Sequence, residues 1–173
     1  MKALPKVAMA SLAAALLSAS PAGAEAAALA RALEFNAWAA NGADPAAEPI
    51  LTPRDLDLAI RSCAPTSDAG EMERCSDNVK DLRLAAKVLA REPKVIWKIA
   101  DCFTTGCDGA LPKAPTNACL WWSFYNVLLD KAADKYSIEL NTFACEKAQT
   151  MPADKDRLLK TFFEAMSTPP ASR

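Results

Sequence analysis

Residues 7–19 carry no charge, and beyond residue 24 the apolar positions recur at helical rather than alternating spacing. Leu29, Ala32, Leu33 and Trp38 define a first helix over 25–41, which Asn41-Gly42 stops. Pro45 and Pro49 make 42–51 a linker. Thr52-Pro53-Arg54-Asp55 then gives an N-cap, a proline at the first helical position and an acid in the first turn, predicting a helix to about Cys63. The run Ala64-Pro65-Thr66-Ser67 breaks it. Asp68 with Glu71 resembles a capping box for the next helix, in which Leu82, Ala85, Ala86 and Leu89 form one stripe opposite Lys80, Asp81, Arg83 and Lys87. That helix ends near Arg91, because Pro93 forbids its continuation.

Pro93 opens another helix, with Val95, Ile96, Ile99, Ala100 and Phe103 on one face, ending before Gly106. Thr116 is read as the cap of a helix bearing Trp121, Phe124, Tyr125, Leu128 and Leu129. A further helix covers about 134–149. Pro152 opens the last, whose Leu158, Leu159, Phe162, Phe163 and Met166 are apolar, and 168–173 is a disordered tail. No Gly or Pro stands between 116 and 151, so one continuous helix there competes with a turn placed near 130–137. Seven short helices with short connections imply an all-α fold of antiparallel helix pairs, an α-hairpin bundle or short solenoid, with 52–167 as the main domain.

Composition supports this class: 12 prolines against 5 glycines, 7% aromatics and an alanine bias argue against an all-β fold. The absence of histidine excludes Ser-His-Asp and Cys-His catalysis and histidine-ligated zinc. Lys2 and Lys6, the apolar stretch that follows and Ala22-Gly23-Ala24 before Glu25 have the layout of a secretory signal peptide over 1–24, cut after Ala24. The apolar stretch is too short for a stable span of about 20 residues, so no membrane span is expected. Two of the 20 basic residues leave with the signal, so 18 face 21 acidic ones and the net charge is −3. With no basic patch, a nucleic-acid partner is not expected.

All six cysteines, Cys63, Cys75, Cys102, Cys107, Cys119 and Cys145, lie beyond the expected cut. An even number in a chain marked for an oxidising space reads as three disulfides. Free core thiols and a four-cysteine zinc site from Cys102, Cys107, Cys119 and Cys145 are the alternatives, the latter lacking the Cys-x2-Cys knuckle. Cys63–Cys75 closes a short segment across Pro65. In an antiparallel hairpin of 93–105 with 116–131, Cys102 and Cys119 share one level and Cys145 returns beside Cys107. That favours Cys102–Cys119 and Cys107–Cys145, although spacing alone leaves all three pairings of these four open.

Catalytic signatures are absent: no Gly-x-Ser-x-Gly, Ser-x-x-Lys, Cys-x-x-Cys or glycine-rich phosphate loop occurs. The acid pairs Asp55/Asp57, Glu71/Glu73 and Asp154/Asp156 are spaced i, i+2 and point to different helix faces. Trp121, Trp122, Phe124 and Tyr125 do not all fit one face, which makes Trp122 or Tyr125 the candidate binding surface.

The stretch Ile99-Ala100-x-x-Phe103-x-x-Gly106, then Gly109-Ala110-Leu111-Pro112-Lys113, then Asn117-Ala118-Cys119-Leu120-Trp121-Trp122 resembles one degenerate Sel-one-like repeat over 95–131, a tetratricopeptide-related helix pair. Ile99, Ala100 and Phe103 match its first helix, Gly106 and Gly109 the loop, and Ala118, Trp121 and Trp122 the second helix. Ala100 stands where a glycine is usual, Cys107-Asp108 lengthens the gap between the glycines, and Lys113 stands near an expected acid. The resemblance implies protein binding rather than catalysis, with helix pairs tied by disulfides in exported members. The expected function is therefore an exported, non-catalytic, protein-binding helical module of the periplasm or secretome, for example a regulator or inhibitor of an envelope enzyme, with no cofactor or metal. The competing expectation is a small secreted hydrolase using Asp and Glu alone.

Overall fold

A computed structural model describes residues 21–42, 44–88, 92–129, 133–148, 157, 159–160 and 162–164. The described chain is all-α: α1 (Pro21–Ala40), α2 (Pro53–Ala59), α3 (Ala69–Val88), α4 (Pro93–Thr105), α5 (Pro115–Leu129) and α6 (Lys135–Lys147), followed by helical residues between 157 and 164. Helix α1 contains the Ala24–Glu25 peptide at which cleavage is expected. Residues 1–20 of the expected signal, the predicted end of the third helix near Arg91, and the tail 168–173 lie outside the described residues.

Two helices, not one, occupy the stretch between 116 and 151. Helix α5 ends at Leu129 and Asp134 caps α6, its Oδ1 accepting the Ser137 N–H at 2.7 Å. The register between them is antiparallel: moving along α5 from Cys119 through Ser123 to Asn126, the partners run backwards along α6 from Cys145 through Asn141 to Ser137. The most extensive packing in the fold is of α5 against α4 and α6. Helix α5 is buried without interruption from Thr116 to Phe124. Its position between two neighbours and the 157–164 segment explains why no amphipathic stripe marks it: each side has its own partner.

Helix α1 joins the same core. Ala32 and Phe35 pack with Leu51, Leu56 and Phe103, and the Phe35 ring meets that of Phe103 edge-on at 6.1 Å between centroids. Arg31 reaches from α1 to α2 as a two-pronged donor, its Nε 2.9 Å from Asp55 Oδ2 and its Nη2 2.8 Å from Oδ1. The acid expected to complement the helix dipole is thus an inter-helix anchor. Its Oδ2 also accepts the Thr52 N–H at 2.7 Å and the Thr52 hydroxyl at 2.8 Å. Fully buried, the carboxylate has both oxygens satisfied, as a charge removed from water requires.

Helix α2 is shorter than the pattern predicts. It stops at Ala59 rather than near Cys63, because Ile60 turns extended (ψ 122°) and the Arg61 N–H leaves the helix to donate to Ala110 O at 2.9 Å. The α3 start agrees with the expectation: Asp68 Oδ1 accepts the N–H groups of Gly70 and Glu71 at 2.8 and 3.2 Å.

Three disulfides cross-link the fold: Cys63–Cys75, Cys102–Cys107 and Cys119–Cys145. The first was expected, whereas the favoured Cys102–Cys119 and Cys107–Cys145 are corrected. Shared level along a hairpin does not fix which way a side chain points. Cys119 lies on the i, i+4, i+7 face with Ser123 and Asn126 that turns toward α6, and its Cα is 4.6 Å from that of Cys145. Cys107 meets Cys102 instead because the chain reverses after α4. Gly106 (φ +89°), Cys107 (+42°), Asp108 (+52°) and Gly109 (+92°) are all left-handed. The Gly109 N–H donates to Gly106 O and the Ala110 N–H to Cys107 O, making two overlapping turns of the mirror-image type. This coil folds Cys107 back onto the last turn of α4. Three disulfides point to an oxidising location. No helix among the described residues is long and apolar enough to cross a membrane.

Candidate functional site

The two aromatic residues singled out in the sequence are adjacent in the structure, Trp122 buried and Tyr125 half-buried. Trp122 is 0% exposed: its Nε1 donates to the Thr104 hydroxyl of α4 at 3.0 Å, and its ring lies edge-on between Trp97 (6.2 Å) and Tyr125 (5.7 Å). It is a core residue of the α4–α5 seam, not a contact residue. Trp121 and Phe124 face the other way, onto Phe162 of the last helical segment at 5.0 and 5.7 Å. The cluster is shared among several neighbours of α5, and of its four rings Tyr125 alone retains partial exposure. Tyr125 is half-buried, and burial, followed by the nearby negative charge of Asp134, pushes its phenol above the usual range.

Large apolar side chains are exposed elsewhere. On α6 the inward positions Ser137, Ala144 and Ala148, with half-buried Asn141, are small or polar, while Tyr136 (61% exposed) and Phe143 (51%) stand outside. Tyr136 and Phe143 are seven residues apart, so they share one face with half-buried Leu140 between them. Ile138 is exposed on the opposite edge of the helix. The Lys147 ammonium sits 5.6 Å from the centroid of the Phe143 ring. The usual arrangement, with large apolar groups inward, is inverted. The small inner face admits close approach to α5, with a polar ladder of Ser123–Asn141 and Asn126–Ser137 beside the Cys119–Cys145 link. Helix α6 is therefore covalently fixed while its rings face water. Sequence reading passed over it, although the signal was there: Tyr136 and Phe143 on one stripe of a helix whose neighbouring stripe holds only Ser, Asn and Ala.

A second feature missed in the sequence is the buried polar clamp at the start of α5. Glu48, within the expected linker, is only 8% exposed. Its Oε2 accepts the Thr116 N–H at 2.8 Å, and its Oε1 accepts the Asn117 N–H at 2.7 Å and the Asn117 Nδ2 at 2.6 Å. The same amide donates to Pro49 O at 3.0 Å, and its oxygen accepts the Leu51 N–H at 2.8 Å. A distant carboxylate thus caps α5, in place of Thr116, which is already inside the first turn. Burial pushes the Glu48 carboxyl above its ordinary value, opposed by its hydrogen bonds to Asn117 and Thr116. The clamp fixes residues 48–51 to the core.

The paired acids do not converge. Asp55 is consumed by Arg31 and Thr52 while Asp57 is exposed, Glu71 accepts from the Thr66 hydroxyl at 3.1 Å near exposed Glu73, and Asp154/Asp156 lie outside the described residues. Among the described residues no group of three His, Cys, Asp or Glu side chains is placed to hold a metal ion. Set beside protein-family models, curated proteins and solved structures, the chain matches none.

Proposed function

We propose that this protein is an exported, non-catalytic binding module of the cell envelope, periplasmic or secreted, that engages another protein through the outer face of α6. The observation that carries the reading is the inverted pattern of α6. Two aromatic rings and a lysine are held in water on a helix whose inner face is small and whose position is locked by Cys119–Cys145. Aromatic groups on a pre-ordered scaffold make efficient contacts, because little side-chain freedom remains to be lost on binding. Regulation or inhibition of an envelope enzyme is one use of such a surface. The α4–α5 pair is read as a degenerate Sel-one-like unit. Supporting this, Ile99, Ala100, Phe103, Ala118, Trp121 and Trp122 are all buried and Gly106 and Gly109 take the left-handed conformations of a tight exit.

The test is capture from periplasmic extract with the oxidised protein, run beside Tyr136→Ser/Phe143→Ser and a control, Leu84→Ser, at an exposed apolar position on α3. A partner retained by the wild type and the control but lost by the double variant supports the proposal. Equal capture by all three contradicts it. Turnover of cell-wall or glycan substrates that disappears on changing one Asp or Glu would replace it with the hydrolase reading.

A further inference from the structure

The three disulfides do different work. Cys102 and Cys107 are both buried at the end of α4, and Cys119–Cys145 lies within the α5–α6 seam, flanked by the Ser123–Asn141 pair. Cys63 and Cys145 are both half-buried, but Cys145 belongs to helix α6, whereas Cys63 lies in a stretch, 60–68, without regular structure, and its neighbours Ser62 and 64–69 are exposed. Its partner Cys75 is the only buried side chain between Ala69 and Lys80, the first half of α3. The apolar anchors of α3, Leu82, Ala85 and Ala86, all lie in the second half.

Apart from half-buried Val79, which packs against the core near the end of the first half, what else holds that half is polar. Asn78 Nδ2 donates to Asp108 Oδ2 at 3.0 Å and its Oδ1 accepts from Lys98 Nζ at 2.7 Å, while Arg74 Nε lies 3.8 Å from Asp108 Oδ1. The Lys98–Asn78 bond is partly buried, while the two contacts to Asp108 are exposed and contribute little against solvent and salt. We propose that Cys63–Cys75 is a redox latch: a dithiol reductant opens it ahead of the other two disulfides and releases the first half of α3 from the left-handed coil at 106–109. The body formed by α4, α5 and α6 stays folded. In the step, the attacking dithiol supplies two electrons and two protons, the Cys63–Cys75 S–S bond becomes two thiols and the reductant closes its own disulfide. Access decides the order, because the sulfur in an irregular, solvated segment is reached without opening a helix interface. The inference stands on the surroundings of the three disulfides and is independent of the binding role proposed for α6.

The experiment titrates the oxidised full chain with dithiothreitol, blocks free thiols by alkylation at each point, maps them by mass spectrometry and follows backbone hydrogen exchange in the same samples. The expected result is alkylation of Cys63 and Cys75 first, with loss of exchange protection confined to 69–80 and protection of 96–104 and 116–128 retained. Oxidised Asn78→Ala keeps protection over 69–80, since the disulfide alone is enough to hold it. Earlier alkylation of any other cysteine, global loss of protection on opening this one bond, or loss of protection in oxidised Asn78→Ala overturns the latch.

Discussion

Replacing Glu48 by alanine removes the cap that connects the 42–51 segment to α5. Three donors, the Thr116 N–H, the Asn117 N–H and the Asn117 amide, lose their acceptor in a site that is almost closed to water. Each lost hydrogen bond costs about 1 kcal/mol net, and an unsatisfied buried donor about 1–3. Relief from burying the carboxylate offsets part of this, leaving a loss of about 3 kcal/mol, or roughly 6–12 °C in melting temperature for a chain of this size. Glu48→Gln keeps one acceptor and turns an amide N–H toward the Thr116 N–H, so its cost is about half as large. The pH dependence has a definite sign. An acid whose folded pKa is raised holds its proton longer when folded, so stability is greatest below the unfolded value of 4.5 and falls as pH rises through the folded one. Half-buried Asp101, also raised by burial against the opposing charge of Lys98, acts in the same direction. Denaturant unfolding of the wild type and Glu48→Gln from pH 4 to 8 separates the two, because only the Glu48 share of the slope disappears in the variant. An alanine variant within about 0.5 kcal/mol of wild type, inside the range of an ordinary surface change, or equal slopes in wild type and Gln, refutes the reasoning.

Other substitutions probe different parts of the structure. Gly106→Ala should cost about 1–2 kcal/mol by urea unfolding, because φ is +89° there and an added Cβ would lie 3.4 Å from both Leu111 O and Lys113 Cγ; a neutral effect would show that the left-handed coil is not maintained. Arg31→Met leaves the Asp55 carboxylate buried with only Thr52 as donor, for an expected loss of about 1–3 kcal/mol, measured by the same transition and absent if α1 is not docked on α2. Trp122→Ala should cost about 3–5 kcal/mol while Tyr136→Ala and Phe143→Ala stay within about 0.5 kcal/mol of wild type, and the reverse ranking would contradict a buried Trp122 and exposed Tyr136 and Phe143.

Helix existence was legible wherever local chemistry decides it: Thr52-Pro53, Asp68 and the proline at 93 mark starts that the structure keeps, and Gly106 marks an end. Local pattern was silent where distant groups decide. Nothing near Thr116 announces that its N–H belongs to Glu48, and nothing near Cys63 announces that Arg61 pairs with Ala110. The α5 aromatics misled for a related reason. Counting faces on one helix assumes one core, whereas Trp122 has α4 to pack against and Trp121 has Phe162. Disulfide partners failed through direction rather than distance, since the consecutive left-handed residues at 106–109, two of them not glycine, have no clear sequence signature beyond the flanking glycines. On α6 the inverted pattern was readable, but the habit of assigning large apolar residues to a core conceals it.

Peptide mapping of native, unreduced protein with intact-mass measurement tests the covalent framework most directly. The expected result is zero free thiols and cross-linked peptides joining Cys63 to Cys75, Cys102 to Cys107 and Cys119 to Cys145. Six free thiols, or peptides joining Cys102 to Cys119 and Cys107 to Cys145, would contradict the framework and remove the support for a rigidly presented α6.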